Sequence, residues 1–139
     1  MILDKLWNGL TQIANGDYVL KGDLVVEDDL TIELDDRLVV EGRVFVTKSI
    51  VVGKSLISNK SIDAGCGIRA GEGIRAGEGI RAGWGIDAGW GIRAKTYIHS
   101  EKRIFAGVSV YHTSENCDKT IKCAELRKGE ICYGDLIIN

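Results

Sequence analysis

Residues 62–94 read IDAGCG, IRAGEG, IRAGEG, IRAGWG, IDAGWG, IRA, a six-residue unit repeated almost without error. Ten of the eighteen glycines lie inside this stretch, two in each full unit from Gly65 to Gly91. A helix cannot use the pattern. Six is not a multiple of 3.6, and two glycines per unit cost roughly 2 kcal/mol against alanine. A strand followed by a corner can use it. In Ile-Arg-Ala the first and third side chains share one face and the second points the other way. Gly-X-Gly then offers the φ freedom of a corner. Units this short bury an inner face only by stacking on their neighbours, so the stretch predicts a β-solenoid.

Followed outward, the same register starts at Tyr18. The inward pairs run Tyr18/Leu20, Leu24/Val26, Leu30/Ile32, Leu38/Val40, Val44/Val46, Ile50/Val52 and Leu56/Ser58. They continue through the glycine repeat to Ile98/Ser100, Ile104/Ala106 and Val110/His112. One unit breaks the period: Leu30 and Leu38 are eight residues apart, which places a two-residue bulge near Leu34-Asp35-Asp36. The solenoid therefore spans residues 17–112 of a single all-β domain.

Charge decides how many units close one coil, because equivalent positions of successive coils stack about 4.8 Å apart. Three units per coil pair Asp63 with Arg81, Arg69 with Asp87, Lys54 with Glu72 and Lys60 with Glu78, and leave Arg75 and Arg93 as the like pair. Two units per coil oppose Lys48 to Lys60, Arg69 to Arg81 and Arg81 to Arg93. Like charges facing each other across a ladder destabilise it, so the expectation is a triangular solenoid of about five coils. Residues 1–16 carry Leu3, Leu6, Trp7, Leu10 and Ile13 at helical spacing, ended by Asn15-Gly16, which predicts an N-terminal cap helix. Residues 113–139 hold two short apolar runs around Arg127-Lys128-Gly129, which predicts a hairpin-like C-terminal cap.

Triangular coils of three six-residue units resemble the left-handed β-helix of the hexapeptide-repeat proteins. Here the inward pair is inverted, large then small (Ile68, Ala70), a pattern open to either hand. The resemblance covers residues 18 to about 112 and implies fold more than function. It brings one activity with it: hexapeptide-repeat proteins are best known as trimeric acyltransferases with a histidine base. His99, at an outward strand position, is the residue that could take that role.

Elsewhere the candidates are binding residues. Trp84 and Trp90 take the corner position held by Cys66, Glu72 and Glu78 in earlier units, near Arg69, Arg75, Arg81 and Arg93. Trp and Arg are the types enriched at binding hot spots. Trp84 has a competing structural reading, a cation–π contact under Lys102 one coil above. In the first half the outward residues are apolar. Val25, Val39, Phe45, Val51 and Ile57 mark an expected oligomer or partner interface.

Other chemistry fits less well. The repeat satisfies a loose G-x-G-x-x-A pattern, but a phosphate loop is used once and opens a helix. Cys117, Cys123 and Cys132 with His112 lack the short knuckle spacing of zinc modules, so neither metal nor cofactor is expected. A net charge of −2 gives no nucleic-acid footprint and no attraction to an anionic membrane. Without a signal-peptide pattern, a cytoplasmic location is expected. The leading expectation is a non-catalytic β-solenoid that docks on a protein partner. Small scaffolds of this style resemble phage or mobile-element inhibitors of host defence complexes, anti-CRISPRs among them. The alternatives are the acyltransferase and a self-assembling scaffold resembling the bactofilins.

Overall fold

A computed structural model describes residues 1–4, 9–107 and 118–138 of the chain. It is a single parallel β-solenoid of about six turns, with no helix among the described residues. The first strands are β1 (Ile2–Asp4), β2 (Leu10–Gln12), β3 (Tyr18–Leu20), β4 (Leu24–Val26), β5 (Leu30–Glu33) and β6 (Leu38–Val40). Then come β7 (Val44–Val46), β8 (Ile50–Val52), β9 (Leu56–Ser58), β10 (Ile62–Ala64), β11 (Ile68–Ala70), β12 (Ile74–Ala76) and β13 (Ile80–Ala82). The chain continues with β14 (Ile86–Ala88), β15 (Ile92–Ala94), β16 (Tyr97–Ala106), β17 (Thr120–Cys123), β18 (Glu125–Tyr133) and β19 (Asp135–Ile138).

The register is the one that charge pairing selects. Ile62 lies beside Ile80, Asp63 beside Arg81, Arg69 beside Asp87 and Arg75 beside Arg93, each eighteen residues on. Three faces result. Face 1 stacks β3, β6, β9, β12, β15, β17 and β19. Face 2 stacks β4, β7, β10, β13 and the first half of β16; face 3 stacks β1, β5, β8, β11, β14 and the second half of β16. Unit 98–103 (IHSEKR) has no corner glycine, and β16 runs on around that corner, joining faces 2 and 3 into one sheet.

First and third positions of the units point inward and are buried from Tyr18/Leu20 through Ile104/Ala106. Buried isoleucines repeat at positions 62, 68, 74, 80, 86, 92, 98 and 104, each at most 1% exposed. Burying one such side chain stabilises by about 1.5–3 kcal/mol. The inner polar residues serve the corners. Ser58 Oγ donates to the Gly42 carbonyl at 2.7 Å, and Ser55 Oγ accepts the Gly73 N–H at 3.0 Å.

The repeat glycines act through proximity instead of φ freedom. None of the ten adopts a positive φ. A Cβ on Gly65 would sit 2.0 Å from the Thr47 carbonyl oxygen, and one on Gly83 would sit 2.1 Å from that of Gly65. The corners of successive coils thus stack backbone on backbone, with no room for a side chain on Gly65, Gly71, Gly77 or Gly83.

Three expectations about the ends are corrected. Residues 2–4 and 10–12 of the N-terminal segment are extended, not helical: β1 pairs parallel with β5, and β2 pairs antiparallel with β3, while Leu6 and Trp7 lie outside the described residues. The open edge of the first coil offers backbone partners, and pairing with them overrides a local helical pattern. The C-terminal segment is not a hairpin either. β17 pairs with β15, β18 with β16 and β19 with β17, all parallel, so the solenoid continues past the expected five coils. Arg127-Lys128-Gly129 lies within β18, where Gly129 has φ 134° and a Cβ would come 2.6 Å from Ile104 Cδ1. It bends a strand and reverses nothing. The inward pair Val110/His112 lies outside the described residues.

The eight-residue unit has a structural purpose. Leu34 is buried, the Tyr18 hydroxyl donates to Asp35 Oδ1 at 2.7 Å, and Arg37 forks onto Asp17 through Nε (3.0 Å) and Nη2 (2.7 Å). Leu34 thus adds to the core, Asp35 takes the Tyr18 hydroxyl, and Arg37 ties the unit to the coil below by a bidentate ion pair.

Candidate functional site

Trp84 stands on the corner between faces 2 and 3. That corner is a column of Lys48, Cys66, Trp84 and Lys102, the last three each linked to the coil below by a backbone hydrogen bond. The Trp84 N–H donates to the Cys66 carbonyl at 3.2 Å, and its own carbonyl accepts the Lys102 N–H at 3.1 Å. Ser100 Oγ, from inside the coil above, donates to the same carbonyl at 2.6 Å. The peptide is therefore held from both sides while the side chain stays 61% exposed. Lys102 does not cover it.

The indole walls a groove of about 810 Å³ on face 3. The floor is the outward column Val51, Arg69, Asp87 and Phe105, with Lys102, Arg103 and Glu130 at its upper end. Arg69 Nε lies 3.7 Å from Asp87 Oδ2. Burial pushes the Asp87 carboxyl above its ordinary range, and the Arg69 charge pulls the other way. The groove thus has an apolar lower end at Val51, a charge pair in the middle, an aromatic wall, and an upper end where Phe105 sits among Lys102, Arg103 and Glu130.

Trp90 stands one corner further on, between faces 3 and 1, 36% exposed. It walls a smaller groove of about 180 Å³ lined by Arg37, Ile57, Arg75, Arg93 and Asp118. Arg93 Nη2 lies 3.2 Å from Asp118 Oδ2, whose other oxygen accepts the Thr120 N–H at 3.0 Å. The six binding candidates therefore separate. Trp84 meets Arg69 in one groove, Trp90 meets Arg75 and Arg93 in the other, and Arg81 lies on face 2 beside Asp63 and lines neither.

The apolar candidates also divide among faces. Val39 and Ile57 are adjacent and half-buried on face 1, Val25 and Phe45 are adjacent and exposed on face 2, and Val51 forms part of the Trp84 groove. They encircle the first half of the prism and do not form one patch. Phe105 was open to sequence reasoning, since it lies eighteen residues past Asp87. Glu130 and Asp118 were not, because the six-residue period ends before them.

His99 lies on face 2, outside both grooves, with Nε2 2.6 Å from Glu101 Oε1. The Lys128 ammonium donates to the other Glu101 oxygen, and with His99 it lowers that carboxyl to about 2. Cys123 is buried in the core and Cys132 is exposed, while His112 and Cys117 lie outside the described residues. Among the described residues no three His, Cys, Asp or Glu side chains are grouped to hold a metal ion, and no helix is long and apolar enough to cross a membrane.

Fold and surface together define a parallel β-solenoid that carries two tryptophan-walled grooves on neighbouring corners. Comparison with protein-family models, with curated proteins and with solved structures found no match.

Proposed function

We propose that the chain is a non-catalytic binding protein, a rigid prism that docks on a protein partner through the Trp84 corner and the groove beside it. The observation that carries this reading is the exposed indole on a backbone fixed by hydrogen bonds to the coils above and below. A large aromatic on a fixed backbone binds at a lower ordering cost than one on a mobile loop, and Trp beside Arg is a hot-spot composition. Inhibition of a host defence complex by a phage or mobile element is one role for such a protein. The likeness to hexapeptide-repeat β-helices rests on the six-residue unit and the eighteen-residue coil alone.

The test is capture from a lysate with wild-type and Trp84→Ala chains side by side. A partner held by the wild type and lost with Trp84→Ala supports docking at this corner; one held equally by both removes the corner from the account. Acyl-coenzyme A turnover that disappears in His99→Ala would replace the binding reading with the acyltransferase.

A second reading, end-to-end self-assembly, is favoured by the C-terminal edge. Leu136 and Ile138 continue the inward rows above Ile121 and Cys123, yet are 40% and 52% exposed. Sedimentation at rising concentration separates the two, with a single small species for the binder and a growing series for the assembly.

A further inference from the structure

On face 1 the outward positions of β12, β15 and β17 hold Arg75, Arg93 and Lys122, paired in register across three neighbouring strands. Elsewhere the same period sets opposite charges side by side, Asp63 with Arg81 and Arg69 with Asp87. Three cations about 4.8 Å apart repel one another, and two of them replace the aspartate that the repeat demonstrably tolerates at this position (Asp63, Asp87). Arg93 is anchored by Asp118. Arg75, exposed, has no acidic partner within ion-pair distance among the described residues.

The groove beside this column is floored by Gly73 and Gly91, so bare backbone lies between the guanidinium groups and the Trp90 wall. Its volume of about 180 Å³ admits a single small group and not a nucleotide. One anion already sits at the site: the Asp118 carboxylate contacts Arg93 through one oxygen, from the chain's own next coil. The chemistry that completes the row is a carboxylate at Arg75.

We propose that the Arg75–Arg93–Lys122 column with Trp90 is a binding site for carboxylates of an acidic polypeptide segment on the partner protein. This rests on the docking reading above and specifies the chemistry of the partner at the second corner. A flexible nucleic-acid strand is the competing polyanion, but the groove of about 180 Å³ takes a carboxylate side chain and not a nucleotide.

The experiment uses the full chain and a labelled hexaglutamate peptide, read by anisotropy and by tryptophan emission at low salt, with oligothymidylate as a second ligand. The expected result is peptide binding that weakens at least tenfold in Arg75→Gln and in Arg93→Gln, stays within about threefold in Arg75→Lys, and is unchanged in Arg43→Gln. Because Arg75→Gln relieves like-charge repulsion, its Tm should hold or rise while binding falls. Peptide binding that is absent, or unaffected by the two arginine changes, overturns the proposal. So does a weaker binding that merely follows a lower Tm, and so does oligothymidylate binding more tightly through the same arginines. Loss of this site with the Trp84-dependent partner still captured defeats the inference alone; failure to capture any partner defeats the reading beneath it.

Discussion

Ser100 Oγ donates to the Trp84 carbonyl at 2.6 Å across one coil step, and Ser100 itself is fully buried. The repeat places alanine at this inward position in β10 to β15, so the hydroxyl is a local addition to the core that serves a corner. Ser100→Ala should cost about 1 kcal/mol, the net worth of such a bond, and lower Tm by a few degrees. Time-resolved anisotropy of Trp84, read in a Trp7→Phe/Trp90→Phe background, should report a looser indole. An unchanged Tm and anisotropy would mean that the backbone bonds to Cys66 and Lys102 suffice to hold the corner.

The glycines predict a contrast. Gly83→Ala places a methyl 2.1 Å from the Gly65 carbonyl oxygen, and forcing two stacked corners apart should cost on the order of 2–3 kcal/mol. Gly67→Ala meets its nearest neighbour, the Gly85 carbonyl oxygen, at 3.5 Å, ordinary contact at a position without positive φ. It should be neutral or stabilising by about 0.5 kcal/mol through the unfolded chain. Denaturant titration of the two variants checks this; equal costs would contradict close stacking as the reason for the first glycine.

The Asp17–Arg37 fork sets a pH dependence. The Arg37 hydrogen bonds hold the Asp17 carboxyl below its ordinary 3.8, against the opposing effect of burial. A depressed carboxyl contributes stability that is present above the unfolded value and lost as pH falls through the folded one. Arg37→Gln should therefore cost about 1–2 kcal/mol at pH 6, and its stability curve should meet that of the wild type in acid below pH 3.8. Parallel curves down to pH 2.5 would remove the ion pair as the cause.

The middle of the fold was legible because two independent signals agree there. Alternation fixed which side chains face inward, and Asp63/Arg81 with Arg69/Asp87 fixed the coil at eighteen residues. The ends were not legible. Leu3, Leu6, Leu10 and Ile13 fit a helical stripe, but that pattern is silent about the sheet edge that claims β1 and β2. Gly129 reads as a turn, and only the neighbouring coil shows that it bends a strand over Ile104. The site was half legible. Trp84 and Trp90 stood out as departures from the repeat, whereas their separation into two grooves depends on which corner each occupies. Asp118 and Glu130 lie where the period has decayed, and only the folded chain brings them to the grooves.

The C-terminal edge gives a prediction on assembly. Leu136 and Ile138 extend inward rows with nothing stacked on them among the described residues. If this end meets a second copy, Leu136→Asn/Ile138→Asn should return any concentration-dependent species to the smallest one in sedimentation velocity. If the wild type already sediments as that one species, the self-assembly reading is removed.

Docking of the Trp84 corner on a protein is tested by partner capture across a short variant series. The expected result is a protein retained by the wild type and by Arg43→Gln, which lies off the groove, and depleted at least tenfold by Trp84→Ala and by Arg69→Gln, all four chains having matched thermal stability. A partner retained equally by the wild type and both groove variants would contradict it.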